Sequence, residues 1–311
     1  MGNRVVIALG GNALGNSPAE QLDLIKNTGK AIVDLIEGGH EVVITHGNGP
    51  QVGMIKVATD FSANKGGGTP EVPFPEASAM SQGYIGYHLQ QALENEFTKR
   101  KLNKPCVSVI TQTLVNADDE AFSNPTKPVG AFFSEEEAKK IEAETGHKFV
   151  EDSGRGWRWV VASPVPEKIV EAETIQQLVE SGVVVISTGG GGIPVVDHDG
   201  VLEGVPAVID KDRSAALMAD QIGADKLVIL TAVEKVAINF NKPDQQELSE
   251  MTVAEAQRHI ADGQFAPGSM LPKIEACLNF VEGHADRTAI VTSLEKAGDA
   301  ISGTAGTSIT A

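Results

Sequence analysis

Six short runs of apolar, mostly β-branched residues recur along the chain: VVIAL (5–9), EVVIT (41–45), CVSVIT (106–111), VVVIST (183–188), KLVILT (226–231) and TAIVTS (288–293). Each is followed by turn residues and then by a helical pattern. A strand that is apolar on both sides must be covered on both faces, and strands that alternate with helices join in parallel through crossovers. The expected fold is therefore α/β, a three-layer α/β/α sandwich with an open, mainly parallel central sheet. The first crossover helix is well marked. Ser17 and Glu20 have capping-box spacing, Pro18 suits the first helical position, and Gly38-Gly39 stop the helix. Leu22, Ile25, Ile32, Leu35 and Ile36 keep the spacing of a face packed on the sheet.

The rhythm breaks between about residues 117 and 165. DDEAFSNPTKPVGAFF leads into the very polar SEEEAKKIEAETG and then EDSGRGWRWVVASPVP, which holds both tryptophans, Trp157 and Trp159. This stretch reads as an excursion from the sheet, folded around its own aromatics and hinged at its Pro-rich ends. Lys65-Gly66-Gly67-Gly68 reads as a mobile loop.

A formal net charge of −17 repels nucleic acid and anionic membranes, so any bound anion needs a local cationic cluster. The two cysteines, Cys106 and Cys277, lie in apolar surroundings that suit reduced core thiols. No apolar run is long enough for a signal peptide or a membrane span, and the expected location is the cytoplasm.

In an open parallel sheet, ligands bind beyond the carboxyl ends of the strands. Three of these ends carry glycines: GGN (10–12), HGNGPQVG (46–53) and TGGGGIP (188–194). Glycine lets backbone N–H groups approach an anion, and a following helix adds the positive end of its dipole. A single glycine turn is equally well explained as a tight βα connection; three together favour a shared anion site. Neither common phosphate motif is present. Gly29-Lys30 is followed by Ala31, and GNGPQVG is one residue longer than the dinucleotide fingerprint.

Phosphoryl transfer needs positive charge around the moving group. Lys211, between Asp210 and Asp212, begins a helix; a plain helix terminus with Asp212 as its N-cap explains the stretch equally well. Lys273 follows Pro267-Gly268 on the first turns of another helix, and Lys127 is boxed by prolines on the excursion, with Arg155 and Arg158 nearby. No histidine constellation suggests a hydrolase, and the HExxH zinc pattern is absent.

VVIALGGNAL, THGNGPQVG, NPTKPVG, EDSGRGWR, GGGGIPVV, AVIDKD and FAPGSMLPKIEA, in this order over residues 5 to 276, closely resemble the carbamate kinases of the amino acid kinase superfamily. The resemblance implies Mg²⁺-dependent, reversible transfer between ATP and carbamate, giving ADP and carbamoyl phosphate, with ATP synthesis in arginine catabolism as the usual sense. It also implies a homodimer. Residues 1–215 would form a lobe for carbamate or carbamoyl phosphate, with a protruding subdomain at about 117–165, and residues 216–311 a nucleotide-binding lobe. Carried over, Lys211, Asp212, Lys127, Lys273, Gly11 and Asn12 are the catalytic candidates, and Gly10, Gly47, Asn48, Gly49 and Gly191 those for the acceptor. Thr231, Ala232, Val233, Val236, Phe240, Met270 and Lys273 would meet the nucleotide; Mg²⁺ is expected to bind through phosphate oxygens and water with few protein ligands, and no residue is assigned to it. Ser153, the NKGGGTPEVP loop (64–73) and Glu234-Lys235 depart from the family pattern. The competing readings are a kinase of glutamate or aspartate, a non-catalytic nucleotide or amino acid sensor, and a dinucleotide oxidoreductase.

Overall fold

A computed structural model of the 311-residue chain describes residues 2–10, 14–15, 17–152 and 154–311. All six apolar runs supply strands to one eight-stranded sheet. Its order is Glu250–Thr252, Thr307–Thr310, Thr288–Ser293, Lys226–Thr231, Arg4–Leu9, Glu41–His46, Val184–Ile186 and Cys106–Ser108. The last six are mutually parallel, and the first two run the other way.

Alternation along the strands builds two cores from one sheet. Val5, Ile7 and Leu9 face one way with Ile44 and Val228, and are covered by the helices Pro18–Glu37 and Phe74–Arg100. Val6 and Ala8 face the other with Val43 and Leu227, under Ala172–Glu180, Lys211–Gln221 and Met270–Val281. The expected three layers follow from this alternation. Ser17 accepts the Glu20 N–H at 3.3 Å, and the first helix ends at Gly38 as the sequence indicates. Leu22, expected on the buried face, is instead 37% exposed, since the sheet-facing stripe is already filled by Ile25, Ile32 and Ile36.

CVSVIT does not stay in the sheet throughout. The chain leaves after Ser108 and enters a second sheet at Gln112–Val115, beside Ile193–His198 and Pro166–Ile169. The buried carboxamide of Gln82 occupies the departure point, accepting from the Thr111 N–H at 2.9 Å and donating to the Thr111 carbonyl at 3.0 Å.

The excursion forms its own antiparallel sheet, Lys127–Phe133, Trp157–Val161 and Phe149–Glu151, with the capped helix Glu135–Thr145. Trp159 stacks on His147 within it but also meets Phe74, from the long helix of the main body, at 5.1 Å between ring centroids. Its core is thus shared with the main body through Val52, Phe74, Ala77 and Val208. Among the described residues, no helix is long and apolar enough to cross a membrane. Both cysteines are free thiols, Cys277 buried and Cys106 half-buried.

Candidate active site

The carboxyl ends of the central strands open into a cleft of about 1760 Å³, bordered on one side by the excursion. Gly10, Gly47, Asn48, Gly49, Gly190, Thr231 and Ala232 bring the strand ends to its wall.

Into this cleft come three lysines from distant parts of the chain, seated on two neighbouring carboxylates. Lys211 Nζ lies 2.5 Å from Asp212 Oδ1, and Lys273 Nζ lies 2.7 Å from Asp212 Oδ2. Lys127, reaching from the excursion, is 2.5 Å from Asp210 Oδ2. The other oxygen of Asp210 accepts the backbone N–H groups of Asp212 at 2.9 Å and Arg213 at 3.3 Å. Asp210 is therefore the N-cap of the helix Lys211–Gln221, and the expectation that Asp212 caps it is corrected. Asp210 is extended with φ −67° and ψ 123°, as a capping residue must be, whereas Asp212 already lies within the helix. This frees Asp212 to clamp two lysines.

Burial disfavours the charge of Asp212, whose side chain is only 4% exposed, but the ammonium groups of Lys211 and Lys273 hold its carboxyl below the usual range. Burial likewise opposes ionisation of Asp210, and Lys127 with Lys211 overcomes it, so this carboxyl is also held well below the usual range. Lys211 is largely enclosed, and burial pulls its ammonium below the ordinary value. Lys273 is raised because the attraction of Asp212 outweighs its burial. Three lysines on two carboxylates leave an excess positive charge at the end of the sheet, in a chain whose total is strongly negative.

The glycines have steric reasons. A Cβ at Gly47 would press on Lys211 Cδ at 3.1 Å, so the bare turn lets the lysine stem lie close against it. Gly190, at φ +66°, lies flat against the carboxamide of Asn48, in a backbone conformation suited to glycine. His46 precedes Gly47 and is fully buried. Its Nδ1 donates to the Gly47 carbonyl at 2.8 Å, and burial lowers the imidazole to about 4, so it is neutral.

Other candidates fall elsewhere. Gly11 and Asn12 lie outside the described residues, as does Ser153. Gly191 sits behind the wall, its carbonyl accepting from Thr113 Oγ1 at 2.9 Å and Ser214 Oγ at 2.8 Å. Thr231 and Ala232 line the cleft, but Val233, Val236, Phe240 and Met270 do not. Val236 is fully buried in the core, and Phe240 is half exposed. Arg155 and Arg158 line the excursion side. Their guanidinium carbons lie 4.9 and 5.0 Å from the Phe132 ring centroid, and both bind Asp152.

Sequence reasoning missed Gln82, Thr111 and Ser81, which are buried behind the glycine turns. Gln82 Nε2 also donates to the Gly189 carbonyl at 3.0 Å, and Thr188, β-branched yet at φ +53°, is held by its N–H bond to Thr111 Oγ1 at 2.9 Å. QG and TQT are ordinary dipeptide and tripeptide contexts that carry no signal of this role.

A mainly parallel sheet with clustered lysines at its glycine-rich carboxyl ends defines a phosphotransferase of the α/β/α type. The sequence model of the amino acid kinase family matches residues 3–293, and the chain belongs to that family. Its relatives within that family include carbamate kinases. The chain is 54% identical over 307 residues to the carbamate kinase of Staphylococcus haemolyticus, covering 99% of both chains. It is 52% identical over 309 residues to the carbamate kinase-like protein YqeA of Escherichia coli, again covering 99% of both. The structure of carbamate kinase from Giardia lamblia bound to AMP-PNP is similar over 99% of this chain and 98% of that one, with a TM-score of 0.90 and 43% identity.

Proposed function

We propose that the protein transfers a phosphoryl group reversibly between a nucleotide and carbamate: carbamoyl phosphate + ADP ⇌ carbamate + ATP. The observation that carries this reading is the meeting of Lys127, Lys211 and Lys273 on Asp210 and Asp212 in one cleft. The full-length similarity to carbamate kinases supports the choice of acceptor.

In this reading the two carboxylates set the lysines before substrate arrives. Lys211, packed against Gly47, faces the phosphoryl group in flight, and Lys273 meets the nucleotide phosphates. Lys127 closes from the excursion onto the acceptor side, while Asp212 orients its two lysines and Asp210 seats the third. Gly10 brings the first strand's end to the cleft, and the resemblance to carbamate kinases assigns contact with the transferred group to Gly10, Gly11 and Asn12. The helix Gly49–Asn64 turns its positive end toward the anionic acceptor. Carbamate is already an anionic oxygen nucleophile, so no general base is needed; the work is to offset repulsion between two anions and align them. The neutral, buried His46 is consistent with that division of labour.

Among the described residues no group of three His, Cys, Asp or Glu side chains is placed to hold a metal ion. Asp210 and Asp212 already accept from lysines. A magnesium ion fits here as the counter-ion of the nucleotide phosphates, entering with ADP or ATP as part of the substrate. The further assignments rest on the resemblance to carbamate kinases: an acceptor lobe at 1–215, a nucleotide lobe at 216–311, a cytoplasmic homodimer, and ATP synthesis during arginine catabolism.

An acceptor panel tests the reading. With Mg²⁺-ATP, ADP release is expected with ammonium bicarbonate, which supplies carbamate, and not with glutamate or aspartate; release with an amino acid alone would move the protein to another branch of the family.

A further inference from the structure

Asn48 is the N-cap residue of the helix Gly49–Asn64, yet its side chain makes no capping hydrogen bond. Asparagine is among the best capping residues, so a carboxamide withheld from that task is held for another. Its Nδ2 donates to Ser81 Oγ at 2.8 Å, and Ser81 Oγ donates to the Ser78 carbonyl at 2.6 Å. A serine hydroxyl has one proton, and here it goes to Ser78. Ser81 Oγ can therefore only accept from Asn48, which fixes the end of the amide that faces it; the reverse orientation would set Oδ1 against a lone pair. Asn48 and Ser78 are each 3% exposed and Ser81 is fully buried, while Gly190 lies flat against the carboxamide. Among the described residues Asn48 Oδ1 has no hydrogen-bond donor, and this acceptor of a residue only 3% exposed opens on the cleft.

We propose that Asn48 Oδ1, locked by Ser81, accepts an N–H of the acceptor substrate and so selects a carboxylate bearing an amino group over one bearing a methyl group. The inference rests on the reading of the site as one for carbamate and carbamoyl phosphate, and names what recognises the nitrogen. Carbamate and acetate have the same charge and nearly the same shape, so the cationic cluster cannot tell them apart. The helix start can hold the carboxylate of either: the first helical bond runs from the Val52 N–H to the Asn48 carbonyl at 2.8 Å, and the Gly49 and Gln51 N–H groups precede it. A directed acceptor beside that carboxylate separates the two. With a methyl group in place of the amine, Oδ1, which opens on the cleft, is closed off from water without gaining a donor, which costs binding that carbamate retains.

The test compares kcat/KM for ATP formation from ADP with carbamoyl phosphate and with acetyl phosphate, in the wild type, Asn48→Ala and Ser81→Ala. The wild type is expected to prefer carbamoyl phosphate. Asn48→Ala is expected to reduce the ratio of the two values by about tenfold or more, the size of one lost directed hydrogen bond. Ser81→Ala, which frees the amide to turn over, is expected to move the ratio the same way by a smaller factor. A structural defect would lower both substrates together, so the ratio is the decisive readout. An unchanged ratio in Asn48→Ala overturns the proposal, whether or not Ser81→Ala folds, and so does a wild type without preference. A wild type that uses neither phosphate contradicts the carbamate reading itself.

Discussion

At Asp212 one carboxylate holds two ammonium groups, one on each oxygen, and the proposed chemistry rests on this small geometry. In the proposed reaction Lys211 directs its charge at the transition state, and Lys211→Ala is predicted to lower kcat about a hundredfold or more in steady-state ATP synthesis. A near-normal kcat would reduce the lysine to a helix terminus. His46 makes a second prediction. Buried, it titrates at about 4, against 6.5 in the unfolded chain, so folding favours the neutral form. That contribution is complete above pH 6.5 and is lost as the pH falls toward 4, amounting to about 3 kcal/mol. Urea unfolding at pH 7.5 and 4.5 should show the wild-type advantage over His46→Gln shrinking by roughly that amount; an advantage constant with pH would mean the imidazole is not the source. The candidate charges were legible in the sequence because cations beside glycine turns stand out in so acidic a chain. Their pairing was not legible. Lys127 and Asp210 are 83 residues apart, and which of two neighbouring aspartates caps the helix depends on a backbone angle rather than on residue type.

The elements that build the sheet were the easiest to read, since strands buried on both faces need long apolar runs. Glu250–Thr252 and Thr307–Thr310 escaped notice because EMT and TSIT are short and half polar, and the first lies at the sheet edge. The second sheet was hidden inside CVSVIT, where a buried glutamine 29 residues upstream turns the chain away. Contacts between elements depend on small residues whose need for space no single sequence displays. Gly53, on the helix Gly49–Asn64, lies so close to Gly130 on the excursion's first strand that a Cβ would run into its backbone. Gly53→Ala is predicted to destabilise the protein by about 1–3 kcal/mol through overpacking. It should also raise KM for carbamoyl phosphate by shifting Lys127; wild-type stability and kinetics together would show that the contact is slack.

At the scale of the whole molecule, a net charge of −17 surrounds a cleft whose end is lined with lysines. The acidic exterior disfavours polyanions in general, and the cluster restores attraction only where small phosphates can enter. The sheet sets the distances. Its central strands bring residues 10, 47, 190 and 231 to one edge, and the excursion and the helix Met270–Val281 add lysines from either side. The most direct test is a coupled luminescence assay of the purified protein with carbamoyl phosphate, ADP and Mg²⁺. Rapid ATP formation that collapses in Lys211→Ala is the predicted result, whereas no ATP above the protein-free control would contradict the account.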